Sequence, residues 1–176
     1  LKSTFNMTGG SFGTSSSDGN IATNGNGGGV YVDSNTTTGD ALTVSSGSFM
    51  GNKAEAGNGG GFYVAKGNVS MQKGSGTGNA ITVSNGNKAI NGGGFYVNAG
   101  NVTLKDANIA SNVATGDGGG VYSNGGKFTI SNTSGFAGGI LSNTAVNGGG
   151  GYVKGGTLEI TGGNIDSNRA TDGAGF

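Results

Sequence analysis

The chain lacks cysteine, histidine, tryptophan and proline, and only 10% of its 176 residues are charged. Without cysteine, neither a disulfide framework nor a thiolate metal site can form, so an oxidising compartment is neither required nor excluded. Nine basic and nine acidic residues cancel, and they are scattered rather than run together. Nucleic acid and anionic membrane surfaces are therefore poor partners. No apolar run approaches the ~20 residues that span a bilayer, so direct membrane insertion is not expected. No secretory leader is visible and the sequence opens on Leu1. A processed form, or an excerpt of a longer protein, is the expectation.

What the chain does have is glycine, which supplies 43 residues against a usual ~7%. Disorder is one outcome of a sequence rich in Gly, Ser and Asn. The regular spacing of Val, Ile, Leu, Phe and Tyr argues against it. Collagen is excluded, because glycine does not fall at every third residue.

The spacing comes from a repeat. Asn91-Gly92-Gly93-Gly94-Phe95-Tyr96-Val97 recurs at 58–64 and 26–32, with changes at 117–123 and 147–153, and in part at 172–176. The first glycines stand at 27, 59, 92, 118, 148 and 173, so the gaps are 32, 33, 26, 30 and 25. Periods of roughly 20 to 50 residues mark solenoids, propellers or arrays. A propeller blade needs four strands, usually over about 40 residues, which the shortest gap cannot hold. Helical repeats fail because glycine costs ~1 kcal/mol per helical position. The prediction is an all-β fold, a right-handed parallel β-helix with three short strands per coil and about six coils. It forms a single domain over 1–176, with an incomplete first coil over 1–26 and a partial last strand at 173–176.

Within each unit the strands have distinct signatures. The second reads apolar-polar-apolar, as in Phe5-Asn6-Met7, Leu42-Thr43-Val44, Val69-Ser70-Met71, Phe128-Thr129-Ile130 and Leu158-Glu159-Ile160. Period two turns the outer pair inward and the middle residue to water. The third carries Gly-x-Phe-x-x-Asn-x-Ala at 47–54, with Ile in place of Phe at Ile109, Ile140 and Ile165. Its asparagines, Asn52, Asn112, Asn143 and Asn168, should stack as an amide ladder that satisfies turn backbone. The segment 84–89 departs from the pattern, so a bulge or slipped register is expected there. Extra residues at 33–41, 72–80 and 132–138 map to surface loops. The glycine triplets mark corners that need positive φ and close backbone approach.

Phe-x-x-Asn at Phe49 and Asn52, its Ile variants, and Gly-Gly-Gly-Val/Phe-Tyr resemble the repeats of chlamydial polymorphic membrane proteins. Those are autotransporter adhesins with β-helical passengers. The resemblance covers the full sequence, although Gly stands where that family has Ala, and the family's cysteines and C-terminal barrel are missing. It implies a surface-exposed, adhesive β-helix, or an excerpt of such a passenger. The expected location is extracellular or at a cell surface, and the expected partners are a second copy of the protein or a host or cell-surface protein or glycan.

Two surface features are candidates for contact. Tyr31, Tyr63, Tyr96, Tyr122 and Tyr152 should face outward on one sheet, as an apolar stripe of the kind that marks interaction surfaces. The plainer reading is that outward tyrosine merely favours strand pairing. Phe5, Met7 and Phe12 at one end, and Gly173, Gly175 and Phe176 at the other, should lie at raw coil edges. Strand addition between subunits would complete those coils and build a filament.

An enzyme is the least favoured class. β-Helical lyases and hydrolases use clustered carboxylates, a basic residue or calcium. The acids here fall on different strands and turns, and no cofactor is implied. Ice binding is the remaining alternative, since Thr43, Ser70, Thr103 and Thr129 form an outward column. Asn6 and Glu159 interrupt it.

Overall fold

The computed structural model describes residues 3–36, 39–74, 80–133, 136 and 138–176. These residues form strands and turns without helix, and every strand pairing is parallel. The expected loops at 33–41, 72–80 and 132–138 lie between strands except that Asp33 and Gln72 end strands, and 37–38, 75–79, 134–135 and 137 fall outside the described residues.

Four sheets run along the stack. The first holds Phe5–Met7, Leu42–Val44, Asn68–Gln72, Asn101–Lys105, Lys127–Ser131 and Thr157–Ile160. The second holds Ser11–Phe12, Ser48–Met50, Ile81–Ser84, Ala107–Ala110, Gly139–Leu141 and Asn164–Asp166. The third is short: Ile21–Ala22, Lys53–Ala54, Lys88–Ala89 and Val113–Ala114. The fourth carries the anchor, as Val30–Asp33, Phe62–Lys66, Phe95–Val97, Val121–Ser123 and Gly151–Val153. The fold is a β-solenoid, as expected, but the coil has four strands rather than three.

The fourth strand arises at the Asn-x-Ala end of the motif. There the backbone turns at the asparagine and pairs again, for example Lys88 with Lys53 and with Val113. Four complete four-stranded turns result, from Phe5 to Ser123, instead of about six three-stranded coils. Beyond them the third sheet thins to isolated bridges, Val113 to Thr144 and Thr144 to Arg169.

The interior follows the period-two pattern. Phe5, Leu42, Val69, Val102, Phe128 and Leu158 occupy one register column. Phe49, Phe62, Phe95 and Phe128 are fully buried and pack in sequence, with ring centroids 4.5, 4.7 and 5.3 Å apart. Each such ring stabilises the fold by about 1.5–3 kcal/mol on leaving water.

The corners work by two different uses of glycine. Gly92 opens its triplet at φ +65°, a left-handed conformation that costs other residues energy. Gly93 is needed for closeness instead: a Cβ there would lie 2.6 Å from the backbone of both Gly119 and Val113. Neither neighbour can yield, because both are backbone held in hydrogen-bonded rungs.

The expected slip at 84–89 does not occur. Val83 pairs with Phe49 on one side and Ile109 on the other, in register. The extra residue is absorbed in the turn, where Asn85 (φ 54°) and Gly86 (φ 82°) both take left-handed backbone. One residue does so in the neighbouring coils, as Gly51 and Ser111 show.

Candidate functional site

The fourth sheet sets the tyrosines in one column, because its strands pair residue for residue: Tyr31 with Tyr63, Tyr63 with Tyr96, Tyr96 with Tyr122, and Tyr122 with Tyr152. The rings stack nearly parallel, with centroids 5.3, 5.0, 4.7 and 5.4 Å apart and interplanar angles of 7–16°. Stacked faces touch each other, so Tyr63 and Tyr96 offer a partner their edges and hydroxyls.

Exposure along the column is uneven. Tyr31 is 42% exposed, Tyr63, Tyr96 and Tyr152 are half-buried, and Tyr122 is only 6% exposed. Tyr122 therefore departs from the expected outward exposure. It is clamped between Tyr96 and Tyr152, above the tight corner at Gly118. Burial first, and neighbouring phenols second, push the hydroxyls of Tyr63 and Tyr96 above the ordinary tyrosine range. For Tyr122 burial again leads, followed by the carboxylate of Asp117. These three phenols are thus held neutral at neutral pH.

The asparagine ladder stands inside. Asn52, Asn112 and Asn143 have no exposed surface, and Asn168 is half-buried at the end. Asn112 Nδ2 donates to Asn143 Oδ1 and Asn143 Nδ2 to Asn168 Oδ1, each at 3.0 Å. Each Nδ2 also donates to a carbonyl of the preceding coil, such as Val83 or Ile109, at 2.9 Å. Between Asn52 and Asn112 lies Asn87, which sequence reasoning missed, and before Asn52 lies Asn20. The signal that finds all six is the shorter Asn-x-Ala, at Asn20, Asn52, Asn87, Asn112, Asn143 and Asn168. It also picks up Asn108, which sits within a strand of the second sheet and outside the ladder.

A second polar column runs at the corner before each glycine triplet. Asn91 donates from both N and Nδ2 to Asn58 Oδ1, Asp117 N donates to Asn91 Oδ1, and Asn147 Nδ2 donates to Asp117 Oδ1. Here donors lie in the later coil, whereas in the inner ladder they lie in the earlier one. The two amide rows therefore oppose each other in direction. Both rows tie one coil to the next, the inner one through backbone carbonyls as well.

The outward polar residues of the first sheet fall in one column, Asn6, Thr43, Ser70, Thr103, Thr129 and Glu159, in register, with hydroxyls at the middle four. Glu159 pairs with Lys127 at 2.6 Å, so a charge pair closes one end of the row.

The proposed end residues divide. Phe5 (39%) and Phe176 (45%) are exposed and Phe12 is half-buried, stacked on Phe49 at 5.2 Å. The side chain of Met7 is buried, close to Gly47, although its strand is the edge strand of the first sheet. Gly173 takes φ 58° like every other first corner glycine, and Gly175 accepts a hydrogen bond from Gly151 N at 3.0 Å.

No helix of the described residues is long and apolar enough to cross a membrane. Comparison with protein-family models, with curated proteins and with solved structures gives no match.

Proposed function

We propose that this protein is a non-enzymatic β-solenoid scaffold that acts outside the cell or at its surface by presentation, with the tyrosine column as its contact face. The observation that carries the reading is the unbroken stack of five rings on one sheet. Such a row is rigid before a partner arrives, so little side-chain entropy is lost on binding. Because the inner ring faces are occupied, contact is made by ring edges and hydroxyls, which suit the carbonyls of a polypeptide or the hydroxyls of a glycan. The resemblance to adhesin repeats supports the same reading.

The test is retention of the purified protein on immobilised mucin glycans and on an extracellular-matrix protein layer. Tyr63→Ser with Tyr96→Ser should lose retention while circular dichroism stays unchanged. Equal retention of the variant, or no retention of the parent protein on either layer, defeats the proposal.

A second reading is end-to-end stacking of copies into a filament. In its favour, apolar side chains lie open at both ends of the stack, Phe5 and Phe12 at one and Val153, Leu158, Ile160 and Phe176 at the other. Continuing the register would set Phe5 of one copy on Leu158 of the next. Sedimentation at rising concentration decides it, and a persistent monomer ends it.

A further inference from the structure

Asn-Gly occurs seven times, at Asn24, Asn26, Asn58, Asn85, Asn91, Asn124 and Asn147. This dipeptide destroys itself by a defined route. The glycine amide nitrogen loses its proton and attacks the asparagine Cγ, the Cγ–Nδ2 bond breaks, and ammonia leaves a cyclic imide. Water then opens the ring at either carbonyl, giving aspartate or isoaspartate. The balance is one water in and one ammonia out, with no oxidant or cofactor. The step needs a glycine N–H free to ionise and swing, and a carboxamide free to meet it.

The fold withholds the nucleophile at five of the seven. Gly27 N donates to Asn58 O, Gly59 N to Asn91 O, Gly92 N to Asp117 O, Gly148 N to Asp172 O and Gly86 N to Ser111 O, at 2.8–3.0 Å. At the corner column the carboxamides are engaged as well: Asn58 N donates to Asn26 Oδ1, and Asn91 donates to Asn58 Oδ1. Asn124 is intermediate. Its Nδ2 donates to Asn98 Oδ1 at 2.9 Å, although no bond among the described residues holds Gly125 N. Asn24 differs from all of them. Asn24 and Gly25 are both exposed, and among the described residues no hydrogen bond holds the Gly25 N–H or the Asn24 carboxamide. A Cβ on Gly25 would meet nothing within 4 Å.

We propose that Asn24 is a self-modification site of the folded rod. Bonds between coils keep the same dipeptide inert at Asn26, Asn58, Asn85, Asn91 and Asn147. Conversion at Asn24 moves the net charge from zero to one negative charge, in an exposed turn between strands. The rod carries an intrinsic clock at its exposed corner and none at the five bonded turns.

The experiment is ageing of the purified protein in mildly alkaline buffer, with peptide mapping by mass spectrometry, folded and in concentrated urea. In the folded protein Asn24 should convert first. The five bonded positions should be slower by about tenfold or more, the factor that ~1.4 kcal/mol of local opening imposes. In urea all seven should convert at similar rates. Gly25→Val, which the open site accommodates, should suppress conversion at Asn24 without shifting the unfolding midpoint. The proposal is overturned if Asn58 or Asn91 converts as fast as Asn24 in the folded state. Undiminished conversion of Asn24 in the valine variant overturns it equally.

Discussion

Asn87 donates its side-chain N–H to Asn112 Oδ1 at 2.8 Å, and the same nitrogen lies 2.9 Å from the carbonyl oxygens of Phe49 and Ser84. Its own Oδ1 accepts from both N and Nδ2 of Asn52. One buried amide therefore joins three successive coils, and the inner ladder is a series of such joints.

Removing one joint should be costly. Asn112→Ala strips the acceptor from Asn87 and the side-chain donor from Val83 O. Asn87 keeps the Phe49 and Ser84 carbonyls, but three buried hydrogen bonds are broken at about 1 kcal/mol each, so a loss of ~3 kcal/mol is expected. Urea unfolding should show it as a lower midpoint at unchanged slope. A loss below ~1 kcal/mol would mean that water replaces the amide.

The corner glycines should separate sharply from surface glycines. Gly93→Ala drives a Cβ to 2.6 Å from the backbone of Gly119 and Val113. Gly9→Ala meets nothing within 4 Å. The first change should abolish cooperative folding or lower stability by more than ~3 kcal/mol. The second should be neutral, or stabilising by about 0.4–1 kcal/mol, by stiffening the unfolded state. Similar thermal midpoints for the two proteins would refute the close-approach account.

Acid should loosen one turn before the rod. Asp18 is held at about 2 by hydrogen bonds from the Thr14 hydroxyl, then from the backbone of Ser15 and Thr14. A folded value below the unfolded one means that the contribution is present above about pH 4 and is lost as pH falls toward 2. The amide signals of Thr14 and Ser15 should shift together over that range by NMR, and Asp18→Asn should remove the transition. A midpoint near the ordinary aspartate value would rule out the hydrogen-bonded anchor.

Alkali should act on the tyrosine column. Tyr63, Tyr96 and Tyr122 titrate above the ordinary value of 10.0. A raised folded value contributes stability below the unfolded pKa and loses it as pH climbs through the folded one. Stability should therefore fall from about pH 10 upward, with phenolate absorbance appearing late and in a broadened step. Ionisation of Tyr63, Tyr96 and Tyr122 at the ordinary value would show that their rings are not stacked in solution.

Much of the architecture was legible in the residues because it rests on local rules. Apolar-polar alternation placed Leu42, Val69, Val102 and Phe128 inside and Thr43, Ser70, Thr103 and Thr129 outside, and the columns form in that register. The repeated glycine triplet located the corner before each anchor strand, since positive φ at Gly27, Gly59 and Gly92 is a property of a single residue. The tyrosine column followed from the same spacing, though Tyr122 proved to be covered by its neighbours.

The misses share one cause. Asn87 was hidden because a turn took one residue more than its neighbours, and the third sheet because two-residue strands carry no period of their own. Which amides are spent and which stay free, as at Asn24, was equally invisible. The amino-acid sequence by itself determined the repeat, the sidedness of the alternating strands and the corner at each glycine triplet, all of which depend on residues a few positions apart. Only the tertiary structure decided how coils meet, because that rests on hydrogen bonds between residues 25 to 35 positions apart. A turn can take up an extra residue without disturbing the rungs on either side of it.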